Sequence, residues 1–458
     1  MGQILRRSSG LLLVALASLL GPWVALGAEN AYVLRGVSLI DGTGGPTQRD
    51  VDLVLEGGKI SSISPAGAAK APPGAKEIDY RGKFVVPGLI SVHSHLGQTN
   101  GVRRGPQNFT RENISRQLRQ YEAYGVTTVV SLGTNLPLIY RLRDEWRAQG
   151  KWPGADFLVA DRGIGAVGGA PGNMQLNGVD QIDRPQNAHE AREAVRSAKA
   201  RGTDCIKLWV DSRGMSPTVT KEVYTAVIDE AHRSGLKAFA HIFTLDDAKG
   251  LVDAGVDVIA HGVRDQPVDQ AFIDAMKAKS VWYVPTIALD EAFYIYADRP
   301  AWIESPLFRN SAQADLLKQI EDPAWREKTL AEPSVKAARE SVRMNQRNVA
   351  VLHKVGVKVG FGTDSGAFPL RIPGFAEHRE LELLTEAGLS PGEVLSIATA
   401  QSAELLGLKD RGVLQAGKRA DLIVLDGDPT DDIRQLHRIH AVWRGGERVG
   451  GPITDFTP

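Results

Sequence analysis

The sequence predicts an α/β protein: a (β/α)8 TIM-type barrel carrying a small composite β-sandwich formed by both termini. Three observations lead there. Short alternating segments divided by turn residues occupy residues 31–86 and recur near the C-terminus. Between them, strand-like and amphipathic helical stretches alternate through eight units. Chemically reactive side chains then fall at the C-terminal ends of those strands, the face on which barrel active sites are built.

At the N-terminus, Arg6 and Arg7 precede an apolar run from Leu11 to Leu20 that continues to Leu26. Ala25-Leu26-Gly27 supplies small residues for cleavage, so residues 1–27 read as a secretory signal peptide. Gly21, Pro22 and the short apolar core argue against a retained anchor, and no later stretch suits a membrane span. The expected location is periplasmic or secreted, with no stable membrane span after cleavage. Asn108-Phe109-Thr110 and Asn113-Ile114-Ser115 are sequons that would matter only in a eukaryotic secretory route.

Residues 28–86 are expected to form the N-terminal part of the sandwich. Strands are expected at Val33–Leu39, Val51–Leu55, Lys59–Ile63 and Lys76–Asp79, with turns at 41–46 and 56–59. Residues 408–458 would complete it, with strands at Asp421–Asp426 and Ala441–Arg444 and a hairpin at Gly445-Gly446. Neither end can bury a core alone, so the two are expected to pair around an inserted barrel, residues 87–407. Barrel strands are expected at Phe84–His93, Thr127–Ser131, Asp156–Ala160, Asp204–Val210, Leu236–His241, Asp257–His261, Val281–Pro285 and Val357–Thr363. Helices are expected over His189–Arg201, Val219–Ser234 and Ser334–Lys354. The long aromatic-rich segment Leu289–Ser334 is expected to form helices over the barrel mouth, as a lid or as extra packing.

Composition narrows the function. In 458 residues, 54 Lys and Arg balance 54 Asp and Glu, so no nucleic-acid footprint is indicated. Cys205 is the only cysteine, which rules out an intramolecular disulfide, a CxxC zinc site and a cysteine-held iron–sulfur cluster. Any metal must rely on His and carboxylates. Gly163-x-Gly165-x-x-Gly168 spells a dinucleotide fingerprint, but Gly169-Ala170-Pro171-Gly172 stands where its helix should start. A rim loop is the better expectation.

Six residues compose the candidate site. His93 and His95 end the first strand and point to one face, being two apart. Lys207 lies in the fourth, His241 and His261 end the fifth and sixth, and Asp364 ends the eighth. Neutral imidazoles suit zinc and similar divalent ions. A lysine ammonium among such ions is misplaced unless its amine has added CO2. The resulting carbamate is anionic and bidentate, able to bridge two ions. Tyr283, Arg213 and His378 are candidates for substrate contact, against core packing, solvent pairing and structural support respectively.

The stretch Pro87-Gly88-Leu89-Ile90-x-x-His93-x-His95, the later Lys and two His, Thr363-Asp364 and the tail Gly417-Lys418-Arg419-Ala420-Asp421-Leu422-Ile423-Val424-Leu425 resemble the amidohydrolase superfamily. His378-Arg379-Glu380-Leu381-Glu382-Leu383-Leu384 with Ala387-Gly388 and Pro391 is similar to its imidazolonepropionase-related and Xaa-Pro dipeptidase-like branch. The resemblance implies two divalent ions, with zinc expected. His93, His95 and Asp364 would hold one and His241 and His261 the other, with carbamylated Lys207 as bridge. Asp364 would also act as general base. Ser91 departs from the pattern, where many members carry Asp. The implied activity is an exported metal-dependent amidohydrolase that cleaves a peptide-like or cyclic amide with metal-activated hydroxide. The expected partner is a small-molecule or dipeptide-like substrate, with a homo-oligomer possible. A mononuclear deaminase or ring hydrolase, and a non-catalytic exported binding protein on this scaffold, are the alternatives.

Overall fold

The computed structural model describes residues 31–456 apart from 173, 177 and 212–216. The expected signal peptide lies outside these residues. Among the described residues, no helix is long and apolar enough to cross a membrane.

Strands Tyr32–Leu39, Gln48–Glu56, Lys59–Pro65, Lys76–Asp79 and Phe84–Pro87 join Leu422–Leu425, Ile439–Arg444 and Glu447–Gly450 in one eight-stranded sheet. The seam between the chain ends is antiparallel and sets Val85 against Val424. Leu34, Leu53, Val85, Leu422, Val424 and Trp443 pack into a core of their own. Alternating apolar residues create that face, and turns of mixed Gly and Asp bound it.

The first barrel strand begins at Leu89, two residues past the expected boundary at residue 87. The expected strand Phe84–His93 divides at Gly88 into Phe84–Pro87, in the terminal sheet, and Leu89–Ser94, in the barrel. A side chain at Gly88 would meet Thr127 at 2.3 Å, so the two layers touch there. Leu89–Ser94, Val126–Leu132 and Asp156–Ala160 pair in parallel, as do Ile206–Trp209, Ala238–His241, Val258–Ile259 and Trp282–Tyr283. A bridge from Ile164 to Leu208 joins the groups. The expected eighth strand is a stave without regular pairing. It closes the ring through Tyr283–Val359 and Ser94–Ser365 bridges, and through Val92 N donating to Phe361 O at 2.7 Å.

Helices Ala188–Ala200 and Lys221–Arg233 start at Asn187 and Thr220, whose side chains accept the amide of Glu190 and Val223. The segment over the mouth folds into short helices, including Ile287–Glu291, Ala314–Glu321 and Pro323–Ala331, before the long helix Pro333–Lys354. Trp302 and Phe308 pack against Phe375 of helix Phe375–Glu386, and Tyr296 packs against Trp302 and Phe308, so part of this segment is packing. Asn108 and Asn113 are buried, and both side-chain amides donate to backbone carbonyls. Both sequons are therefore closed to glycosylation in the folded chain.

Candidate metal centre

Each expected ligand arrives from a strand end. His93 and His95 are separated by Ser94, and their ring centroids lie 5.7 Å apart. Asp364 follows the closing stave with φ 61, a left-handed conformation unusual for a residue other than glycine. Its Oδ1 lies 2.9 Å from His95 Nε2 and 3.2 Å from His93 Nε2. Lys207 Nζ lies 3.3 Å from His93 Nε2. His261 packs against both His93, tilted, and His241, edge-on, with centroids 4.5 Å apart in each case. Ligand atoms of His93, His261 and Asp364 lie within 4.8 Å of one another. The six expected residues thus meet in one cluster, five of them buried and His241 half-buried.

Lys207 sits in a slot made by glycine. Gly133 has φ 92, and a Cβ there would meet Trp209 at 2.7 Å and Lys207 Cγ at 3.0 Å. Nδ1 of His261 pairs with Thr286 Oγ1 at 2.8 Å, which fixes its ring. His95 Nδ1 meets Gln98 Nε2 at 3.0 Å, and His241 Nε2 meets Asp211 at 3.2 Å.

The electrostatics favour ligation. Burial holds His93 and His261 well below the ordinary imidazole range and His241 at about 4, so these rings are neutral near pH 7 and carry lone pairs. Burial also pulls the Lys207 amine down to about 7. Burial works to raise Asp364, but Arg371 and the hydrogen bonds from His93 and His95 hold it well below the usual carboxylate range. Neutral imidazoles, one carboxylate and a partly uncharged amine fit one or two divalent ions. Asp364 is the only carboxylate in direct contact with His93 and His95 among the described residues, so a Lys207 carbamate would add needed negative charge.

Three further expectations fare differently. Tyr283 is fully buried in the barrel core, and its hydroxyl accepts the amide of Val263 at 2.7 Å. Its role is packing, not pocket lining. His378 is buried between Tyr124 and His437, with Nε2 on the Tyr124 carbonyl at 2.9 Å, so it supports a helix rather than a substrate. Arg213 lies outside the described residues.

The structure adds residues that sequence reasoning passed over. Arg371 ion-pairs with Oδ2 of Asp364. It also borders a cavity of about 320 Å³, lined by Val102, Leu289, Phe293, Trp325 and Phe368 among others. Arg104 stacks on Phe368 at 3.8 Å, and Arg371 lies 4.7 Å from the same ring. The mouth therefore combines an apolar wall with two cations.

The model of the amidohydrolase family matches residues 84–449. Ochratoxinase of Aspergillus niger is 24% identical over 461 aligned positions, covering 93% of this chain and 88% of that protein. A crystal structure of a Xaa-Pro dipeptidase, with methionine bound in its active site, superposes with a TM-score of 0.73 at 25% identity. It covers 92% of this chain and 100% of the other. Imidazolonepropionase of Deinococcus deserti is 37% identical over 98 residues, 20% of this chain and 24% of that protein.

Proposed function

The chain belongs to the amidohydrolase family and is a hydrolase acting on carbon–nitrogen bonds, and from that premise we propose that it is an exported, binuclear metal-dependent hydrolase of amides in small peptide-like molecules. The observation that supports this most is the convergence of His93, His261 and Asp364 ligand atoms within 4.8 Å, with Lys207 Nζ 3.3 Å from His93. His93, His95 and Asp364 would hold one ion, His241 and His261 the other, and carbamylated Lys207 would lie between. Divalent ions bound there would acidify a water and polarise the scissile carbonyl.

The protein's own groups do the rest. Asp364 is anionic, and Arg371 engages its Oδ2, which leaves Oδ1 turned toward the histidines. That oxygen can take a proton from the attacking water and return it to the leaving nitrogen. His261 is held in one orientation by Thr286, and His95 by Gln98. The apolar wall of the neighbouring cavity would pack against an apolar part of the substrate. Export rests on residues 1–27 alone.

The test is metal content of the purified chain with and without bicarbonate, beside Lys207→Ala, followed by a screen of dipeptides and N-acyl amino acids. Two ions falling when Lys207 is removed, with turnover of an amide, is the expected result. One ion indifferent to Lys207, with ring opening or deamination instead, would replace this reading with the mononuclear one.

A further inference from the structure

Helix Phe375–Glu386 carries two glutamates, Glu377 and Glu380, that are fully buried and turned toward the barrel. They lie three residues apart, so both project from one side of the helix. Their partners are different.

Oε1 of Glu377 accepts three hydroxyls: Ser91 at 3.1 Å, Thr363 at 2.6 Å and Ser365 at 2.7 Å. Oε2 accepts the amide of Gly374 at 2.8 Å. Ser91 is two residues before His93, while Thr363 and Ser365 flank Asp364. One carboxylate thus ties the first strand to the closing stave at the level of their metal-facing residues. A buried carboxyl group with so many donors is strongly localised, because losing any of them leaves a desolvated oxygen short of a partner.

Glu380 acts on the other side. Its Oε1 accepts the amide of Ile287 at 2.9 Å and its Oε2 that of Ala288 at 2.7 Å. These are the first residues of helix Ile287–Glu291, immediately after Thr286. Thr286 has φ 50, and its hydroxyl meets His261 Nδ1 at 2.8 Å. The residue before it on the same helix, Arg379, grips Glu291 at the far end of the short helix, through two contacts of 2.8 Å. The short helix is therefore clamped at both ends, and the strained Thr286 is held where it meets His261.

We propose that Glu377 and Glu380 are paired positioning residues, each setting one half of the metal centre: Glu377 the His93–Asp364 half, Glu380 the His261 half through Thr286. This rests on the metal-centre reading above. Neither carboxylate contacts an expected ligand, so each acts through an intermediary. Because both belong to one helix, displacement of that helix moves both halves together.

The experiment compares Glu377→Gln, Glu380→Gln, Ser91→Ala and Thr286→Val, singly and in pairs, by zinc stoichiometry and by the visible spectrum of the cobalt-loaded protein. Melting of the chelator-treated protein is followed in parallel. Each single variant is expected to weaken one ion by about 10–100-fold and spare the other. Glu380→Gln with Thr286→Val should lose no more than either alone, since both act on one half. Glu377→Gln with Thr286→Val should lose both ions. Thr286→Val and Ser91→Ala keep both glutamates, so they report even where a Gln variant does not fold. Wild-type affinity for both ions in all variants would overturn the proposal and leave the metal centre standing. So would parallel loss of both ions in step with melting. A wild-type protein that binds no ion would overturn the metal-centre reading and this inference with it.

Discussion

Nζ of Lys207 and Nε2 of His93 face each other at 3.3 Å inside the barrel, an amine of the fourth strand against an imidazole of the first. Both are buried, and burial discourages a proton on either. Only the uncharged amine adds CO2. Metal content in bicarbonate should therefore rise as pH passes upward through about 7, and dialysis one unit to either side of that value measures it. In the metal-free protein, unfolding lets Lys207 regain its proton between about 7 and its ordinary 10.5. Folding stability should accordingly rise with pH across that window. Chelator-treated wild type should show the slope in denaturant melts, and Lys207→Met should lose it.

Asp364→Asn should keep the fold and at least one ion but lose about 10²–10⁴-fold in kcat. Arg371→Gln tests why Asp364 stays anionic. Burial would raise its pKa, and Arg371 is the first of the groups that counter this. The acid limb of the kcat/KM profile should move to higher pH in Arg371→Gln. An unmoved limb would remove Arg371 from the catalytic arrangement.

Arg104 is exposed at the mouth, donates to the Ala367 carbonyl at 2.9 Å and has no carboxylate partner among the described residues. Arg104→Gln should cost about tenfold in kcat/KM for a substrate with a free carboxylate, mostly in KM. The primary-amide counterpart of the same substrate should be little affected. Equal losses for both would assign Arg104 to holding the Phe368 loop.

Gly133→Ala should be among the more damaging single methyl additions. The residue has φ 92, and the new Cβ would meet Trp209 and Lys207 at once. A loss of about 1–3 kcal/mol in urea melts is expected, with metal content falling alongside because the Lys207 stem must move.

Much of this architecture was legible because its signals are local. Runs such as Thr127–Ser131, within the observed strand Val126–Leu132, read as barrel strands, and reactive residues at strand ends read as a rim. What was not legible depends on partners distant in sequence. Gly88 interrupts a continuous apolar run, and only the proximity of Thr127 reveals why. The closing stave lacks regular pairing because its neighbours meet it through isolated bridges. Glu377 and Glu380 sit in the charged stretch Glu377-His378-Arg379-Glu380-Leu381-Glu382, whose composition alone does not mark either as buried. They are buried because they cap two other segments. His378, for which substrate contact was weighed against structural support, faces the Tyr124 carbonyl. Arg371 gave no signal, since a lone arginine in a loop has no pattern.

The antiparallel seam that sets Val85 against Val424 has a consequence for biosynthesis. A ribosome emits the Phe84–Pro87 strand long before its partner at Leu422–Leu425 exists. During that interval the strand offers an open, apolar edge to any neighbouring chain. A product that stops short of residue 422 never closes it. The seam thus works as a completeness check, in which only a chain that reaches Leu422–Leu425 covers the free edge of Phe84–Pro87. Truncated chains should be recovered in aggregates or with chaperones even when their barrel residues are all present.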